Sequence, residues 1–391
     1  MTFLYDIVNL EFVLILYFLA VYYLRLDALR SFLVLGHLIT IFLINDVLIE
    51  KGYWPDQKRY LWIAAEIREQ LVYLKVIPQF WDSLRIVVPS FIFAFSPIPF
   101  INSVQSIAMI NFLFFLLSFT YLRKKRVSSN SVDFFFLLYP SFLLYSSIAL
   151  RETLITLFMI FSLYFLLVEE KRLAALIFSL PLAIIKIQNF LILVLAYVFY
   201  LFIGKGSIQR LLIFFGIGLF VIFFGDNIPL LKFFFEKIDY YRYNLIAENF
   251  GYDWGFMENY YYQPFTSGFS NFSLVIKSFL YMLMKPFPWE ATNVVQLIQS
   301  AENIFIIAFI VWVVRKKVYS LIIKRKLVFL NILLVLSMTI YGLVTFNFGT
   351  AARFRFPFIL VYLVFSLYLL RSDKIISRQF PRGYSSMPTI S

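Results

Sequence analysis

Apolar runs of membrane-spanning length, joined by short basic connectors, constrain this chain more than any other feature. A helix needs about 20 apolar residues to cross roughly 30 Å of hydrocarbon. Runs near that length fall at 7–24, 31–49, 103–122, 132–150, 153–168, 173–187, 189–203, 211–225, 302–314, 327–346 and 356–370. They predict an all-α fold, a polytopic transmembrane helical bundle of about eleven spans. Close spacing between neighbours implies helical hairpins, whereas an outer-membrane barrel would show alternating segments of about ten residues. Composition leaves no room for a soluble alternative. Of 391 residues, 62% are apolar and 15% charged, against about 45–50% and about 25% in an ordinary soluble domain. A globule this apolar lacks the polar residues to cover its surface.

Other function classes fall away on simple counts. Cysteine is absent and His37 is the single histidine, so thiol nucleophiles, disulfides and His- or Cys-rich metal sites are excluded. The net charge of +13 would suggest nucleic acid in a soluble protein. Here the cations sit in connectors, a membrane pattern, and no nucleic-acid partner is expected. Arg25, Arg30, the run Arg123-Lys124-Lys125-Arg126, Lys171, Arg172, Lys205, Arg210, the cluster from Arg315 to Lys326, and the tail residues Arg371, Lys374, Arg378 and Arg382 all fall on one side. That side is read as cytoplasmic, with the N-terminus outside and the C-terminus inside. No Lys or Arg precedes Arg25, so the first run lacks the basic n-region of a cleavable signal peptide and is expected to stay. Residues 1–370 then form one transmembrane domain, followed by a cytoplasmic tail at 371–391. Two long extracytoplasmic loops run from about 46 to 102 and about 226 to 301, and they hold pieces too short or too broken to cross. One is 86–100, with Pro89, Pro97 and Pro99. Such pieces are read as interfacial or re-entrant helices. No inverted repeat of the transporter type is visible.

Chemistry-bearing residues gather at the outer ends of the runs. In 53–75, Tyr60, Ile63, Ala64, Ile67, Leu71 and Leu74 recur at helical spacing against Lys58, Arg59, Glu66, Arg68, Glu69 and Gln70, an amphipathic helix suited to the outer interface. Asp56 follows Pro55 at its start, as an N-cap or as a carboxylate held where lipid head groups lie. Arg151 and Glu152 stand between two apolar runs. They are either a turn with a snorkelling arginine or a pair kept for use. Arg353 and Arg355 lie between Gly349 and Pro357. In an extended or turn segment both would reach one anion through their planar forks, and Lys186 falls at the same face. Separate neutralisation by lipid phosphates is the alternative. In the second loop, Glu290 follows Pro286-Phe287-Pro288-Trp289, as a carboxylate at a helix start, a second acid or an acceptor for a sugar hydroxyl, with Trp289 as an interfacial anchor. The aromatic stretch 239–262 either stacks on sugar faces or covers the bundle. His37, inside a run, is read as packed or hydrogen-bonded.

Taken together, Asp56-x-x-x-Tyr60-Leu61-x-x-Ala64, Pro140…Ser146-Ser147…Arg151-Glu152, Pro286-Phe287-Pro288-Trp289-Glu290 and Gly349…Arg353…Pro357 resemble the GT-C superfamily of polytopic, polyprenyl-lipid-dependent glycosyltransferases. The size, the aromatic richness and the outer arginines also resemble the O-antigen repeat-unit polymerases of bacterial surface polysaccharide synthesis. Two runs, rather than one, precede the acidic loop. The resemblance implies a bacterial inner-membrane enzyme that transfers sugar from a polyprenyl-phosphate- or pyrophosphate-linked donor at the outer face, among membrane lipid and other polysaccharide-assembly proteins. It implies Asp56 as base or metal ligand for the acceptor hydroxyl, with Glu152 or Glu290 in reserve as base. Arg151, Lys186, Arg353 and Arg355 would bind phosphate, with Tyr60 and Trp289 beside the substrate. No cofactor is implied, and a divalent metal stays open, with no carboxylate cluster in the sequence to argue for one. The rival class is a lipid-linked oligosaccharide flippase, which would line several spans with charge along their depth. A non-catalytic scaffold is the third.

Overall fold

The computed structural model describes residues 2–45, 47–48, 55–72, 84–203, 216–221, 223–250, 269–345 and 348–379. Among them the regular structure is helical and no strand occurs. The chain divides into two compact units. The first holds Met1–Leu191 with Leu363–Arg371, and the second holds Ile192–Tyr362 with Ser372–Ser391.

The first unit contains α1 (Thr2–Leu24), α2 (Ala28–Ile44), α3 (Pro55–Val72), α4 (Leu84–Ala94), α5 (Val104–Lys124), α6 (Asn130–Leu138), α7 (Pro140–Ser146), α8 (Glu152–Leu167), α9 (Arg172–Ile185) and the start of α10 (Ile187–Ile203). Short polar side chains set several starts. Asp27 accepts from the Arg30 N–H, Ser103 forms a capping box with Ser106, and Ser129 accepts from Val132, each satisfying a backbone donor the helix leaves open. Tight reversals follow α1, α5 and α8, where Arg25, Arg126 and Glu170 take φ of 50°, 56° and 57°. These are left-handed positions usually given to glycine. The core is aromatic: Phe115 stacks on His37 at 3.9 Å and meets Phe142 at 5.4 Å and Phe136 at 5.7 Å. His37 is fully buried and bonded to the Ser146 hydroxyl and the Leu137 carbonyl, so it is packed as the sequence suggests.

Two expectations change here. The run 132–150 is not one helix. It breaks at Tyr139, whose ψ is 112°, because Pro140 has no N–H and its ring excludes the helical conformation from the residue before it. The stripe Tyr60, Ile63, Ala64 and Ile67 is buried against the protein, beside α4 and α5, rather than facing lipid. Leu74 and the flanks 53–54 and 73–75 lie outside the described residues. Arg68, assigned by its spacing to the solvated face, instead closes α4. Its guanidinium donates to the carbonyls of Ala94, Ser96 and Ile98 at 2.5–2.9 Å, groups a helix end leaves without partners. Burial lowers the pKa of this group from its ordinary value. Arg68→Ala is expected to lower stability by about 3 kcal/mol, since charged hydrogen bonds contribute roughly 1.5–3 kcal/mol each. The detergent-solubilised variant should melt several degrees early, and Arg68→Lys should recover little because an ammonium cannot fork across three carbonyls.

At the other end of this unit, buried Asp133 accepts from Arg30 Nε at 2.9 Å, from Arg123 Nη1 at 3.1 Å and from the Ser128 hydroxyl. One carboxylate thus ties together the starts of α2 and α6 and the end of α5. In the following connector, a hydrogen bond from Tyr164 and the Lys171 ammonium hold the Glu169 carboxyl below the usual carboxylate range.

The second unit contains the rest of α10, a helical piece at 216–221, a 3-10 turn at Gly225–Asn227, α11 (Pro229–Phe250), α12 (Phe269–Met284), a 3-10 turn at Pro288–Glu290, α13 (Val294–Arg315), α14 (Leu321–Val344) and α15 (Phe348–Gln379), which also supplies Leu363–Arg371 to the first. Helices α12 and α14 cross closely. A Cβ at Gly342 would stand 2.2 Å from the Ser278 carbonyl oxygen. Asp373 accepts from the N–H groups of Tyr319 and Ser320 and anchors the start of α14. Residues 239–250 of the aromatic stretch are helical, whereas Tyr252, Trp254, Tyr260, Tyr261 and Tyr262 lie outside the described residues. So do residues 211–215 and 222 of the run 211–225, with Lys205 and Arg210, and Arg382 in the tail.

Among the described residues, five helices are long and apolar enough to cross a membrane: Leu4–Leu24, Val104–Lys124, Val294–Arg315, Leu321–Val344 and Phe348–Ser377. Shorter apolar helices accompany them. On α1, Ile15, Phe18, Leu19 and Tyr22 are exposed, and on α13 Ile304, Phe305, Val311 and Val314 are. Apolar faces of this length are costly in water and are at home against lipid chains.

Candidate functional site

The most unusual backbone in the first unit lies between α7 and α8. Residues 147–150 are not helical, yet Ser146, Ser147, Ile148, Ala149 and Leu150 are each 0% exposed. Irregular backbone buried in an apolar bundle is tolerated only if its N–H and C=O groups find partners. Three amide side chains provide them. Asn45 Nδ2 donates to the Ser147 carbonyl at 2.9 Å. Asn111 Nδ2 donates to the carbonyls of Ile148 and Leu150, both at 2.6 Å. Gln57 Oε1 accepts from the Ala149 N–H at 2.7 Å. Thr153 Oγ1 adds a bond to the Tyr145 carbonyl at 2.8 Å. Asn45, Gln57 and Asn111 are absent from the sequence-derived candidates. Single amides in or beside apolar runs carry no periodic signal, and only the contacts give them a role.

This clamped loop ends at Arg151 and Glu152. Arg151 Nη1 donates to the Arg85 carbonyl, while its Nε is buried with no hydrogen-bond partner among the described residues. Glu152 is the first residue of α8 and is 1% exposed. The positive end of the helix dipole favours a carboxylate at that position. Helices α8 and α9 pack as an antiparallel hairpin, with Ser162 bonded to the Ala175 carbonyl. The residue after α9, Lys186, therefore returns to the end where Glu152 begins. Lys186 is 6% exposed and sits in a break between α9 and α10.

Asp56 occupies the first turn of α3 and is half-buried. Its neighbour Gln57 makes the bond to Ala149, so the start of α3 is tied to the loop that carries Arg151. Tyr60 is 2% exposed, its ring edge-on to Phe93 at 5.9 Å, and it packs in the contact between α3 and α4. Asp56, Arg151, Glu152 and Lys186 thus belong to one unit, with Asp56 and Arg151 linked through Gln57 and the loop.

The remaining candidates belong to the second unit and are described within it. Arg353 and Arg355 do not lie in an extended or turn segment: the helix begins at Phe348, and Pro357 falls inside it rather than opening it. Two residues apart on a helix, they point to different sides. Arg355 is 1% exposed and donates through Nη1 to the carbonyls of Met282 and Lys285 at 3.0 Å, closing the end of α12. Asn347 lies outside the described residues. The Pro-rich turn is knitted in the same place. Lys285 pairs with Glu290 at 3.0 Å, Glu290 accepts from the Phe287 N–H, and Ser300 and Asn303 donate to the Pro286 and Met284 carbonyls. Trp289 stacks on Phe287 at 4.9 Å and is 80% exposed, which fits an interfacial anchor.

Among the described residues, no three of His, Cys, Asp and Glu gather closely enough to hold a metal ion. No family model matches the chain, and no curated protein or solved structure matches it either.

Proposed function

We propose that the chain is an integral membrane glycosyltransferase or polysaccharide polymerase acting on a polyprenyl-phosphate- or pyrophosphate-linked sugar. The observation that carries this reading is the buried loop 147–150. Three amide side chains hold it in a non-helical shape, and it delivers Arg151, with a buried guanidinium N–H left over, beside Glu152. A turn that merely joined two spans would need neither the clamp nor the charges.

The chemistry follows from charge. As the glycosidic bond to phosphate breaks, negative charge grows on the leaving oxygen, and fixed cations in an apolar setting stabilise it strongly. Arg151 and Lys186 supply that charge in the first unit. Arg355 holds the end of α12, so that Lys285 and Glu290 keep their places. Asp56 takes the proton from the acceptor hydroxyl, with Glu152 and Glu290 as the other carboxylates near cations. Exclusion of water by the bundle protects the donor from hydrolysis. The same reading includes a bundle of about eleven spans, the loops 46–102 and 226–301 outside, the N-terminus outside and the C-terminus in the cytoplasm of a bacterial inner membrane.

The test is direct. Purified protein in lipid nanodiscs is incubated with a radiolabelled polyprenyl-phosphate-linked sugar and a lipid-linked acceptor. Labelled, extended product is expected, and Asp56→Asn should reduce it by at least about 100-fold while leaving donor binding intact. Donor binding or translocation without product would identify a flippase instead.

A further inference from the structure

We infer that Asn111 is the positioning residue of this site, setting where Arg151 stands without touching substrate itself. The inference rests on the proposed function for its purpose, but its geometry stands alone. Asn111 lies in the N-terminal half of α5, is 0% exposed, and spends both amide hydrogens on the carbonyls of Ile148 and Leu150. Those are the residues three and one before Arg151. Of the loop's other bonds, Asn45 holds the Ser147 carbonyl further back, and Gln57 accepts from the Ala149 N–H between the two carbonyls that Asn111 holds. The Leu150 N–H turns inward to the Ile148 carbonyl at 2.9 Å, so the last three residues before Arg151 form one tight turn pinned on its carbonyl side by a single side chain. Without that amide, the buried Leu150 carbonyl loses this donor and the Ile148 carbonyl keeps the Leu150 N–H. The loop then reopens toward water or toward a continued helix, and Arg151 moves with it.

Arg68 gives this inference an internal control. It lies in the same unit, and its guanidinium is sealed against the carbonyls of Ala94, Ser96 and Ile98. Neither Asn111 nor the loop touches those bonds. The experiment is arginine modification by phenylglyoxal in nanodiscs without any donor lipid, read by peptide mass spectrometry. Asn111→Leu keeps the branched outline and removes both donors, and Asn111→Ser keeps one hydroxyl donor. Arg151 modification is expected to rise at least about tenfold in Asn111→Leu and by an intermediate factor in Asn111→Ser, with Arg68 unchanged in both. Unchanged Arg151 modification in Asn111→Leu overturns the inference. So does a rise at Arg68 in step with Arg151, which would mark general loosening. Because no sugar transfer is measured, failure here is separate from failure of the glycosyltransferase reading. That reading predicts in addition that Asn111→Leu lowers kcat more than it raises the donor KM, because displacing Arg151 withdraws a cation that acts mainly in the transition state.

Discussion

Arg151→Ala is expected to lower the rate of sugar transfer by at least about 100-fold, the loss typical when one fixed donor to a developing oxyanion is removed. The argument is electrostatic. The phosphate leaving group carries more negative charge in the transition state than in the bound donor, so a guanidinium held in an apolar surround contributes mainly to kcat. Arg151 is placed for this by a loop it does not build. The described bond of its side chain, to the Arg85 carbonyl, is exposed to solvent and lies at the low end of the roughly 1.5–3 kcal/mol of a charged hydrogen bond, so the variant should fold and melt near the wild type. Arg151→Lys keeps the charge but loses the fork and should recover only part of the rate. Initial rates with labelled donor, set beside melting curves of the same preparations, check both statements. A rate within a factor of about three of wild type in Arg151→Ala would remove this residue from the phosphate site, since that corresponds to well under 1 kcal/mol of transition-state stabilisation.

A second substitution should act on the fold itself. At Gly342 an added Cβ would lie 2.2 Å from the Ser278 carbonyl oxygen, 2.6 Å from its carbon and 3.1 Å from Met282 Cβ. The obstacle is backbone, so no rotamer change relieves it, and α12 and α14 must separate. Close helix crossings in apolar surroundings depend on small residues for this reason. Gly342→Ala is expected to cost several kcal/mol, beyond the roughly 1–3 kcal/mol of ordinary overpacking. Gly342→Leu should leave little monodisperse protein after solubilisation. The damage should reach the Pro-rich turn, because the Met282 and Lys285 carbonyls bonded by Arg355 sit at the end of the displaced helix. Size-exclusion profiles and melting temperatures read this, and a Gly342→Ala protein with wild-type melting would refute the close crossing.

Which parts of the molecule were visible in the sequence follows from where the signals are strong. Apolar runs marked the helices well, because a span of hydrocarbon length is written in consecutive residues. His37 sat in a run with no partner of its own kind, and it is packed on Phe115. The break at Tyr139 was also written, as Pro140 inside a long run, but apolar continuity masked it. Arg68 was misassigned to a solvated face because helical spacing says which residues share a side, not what covers that side. Arg353 and Arg355 were read as a turn from Gly349 and Pro357, yet a proline is tolerated inside a long helix where neighbouring groups take up the freed carbonyl. The clamp of Asn45, Gln57 and Asn111 left no trace at all. Its members come from three distant segments and meet only through loop 147–150, so no local pattern records them.

The account stands on Arg151 gripping a lipid phosphate, and one measurement addresses that contact alone. Wild-type protein in nanodiscs is treated with phenylglyoxal in the presence of a long-chain polyprenyl phosphate or of the matching polyprenol, and modification of Arg151 and Arg68 is quantified. Protection of Arg151 by the phosphate lipid, absent with the polyprenol and absent at Arg68, is the predicted result. Equal modification of Arg151 with both lipids, at phosphate-lipid concentrations that saturate binding, would contradict it.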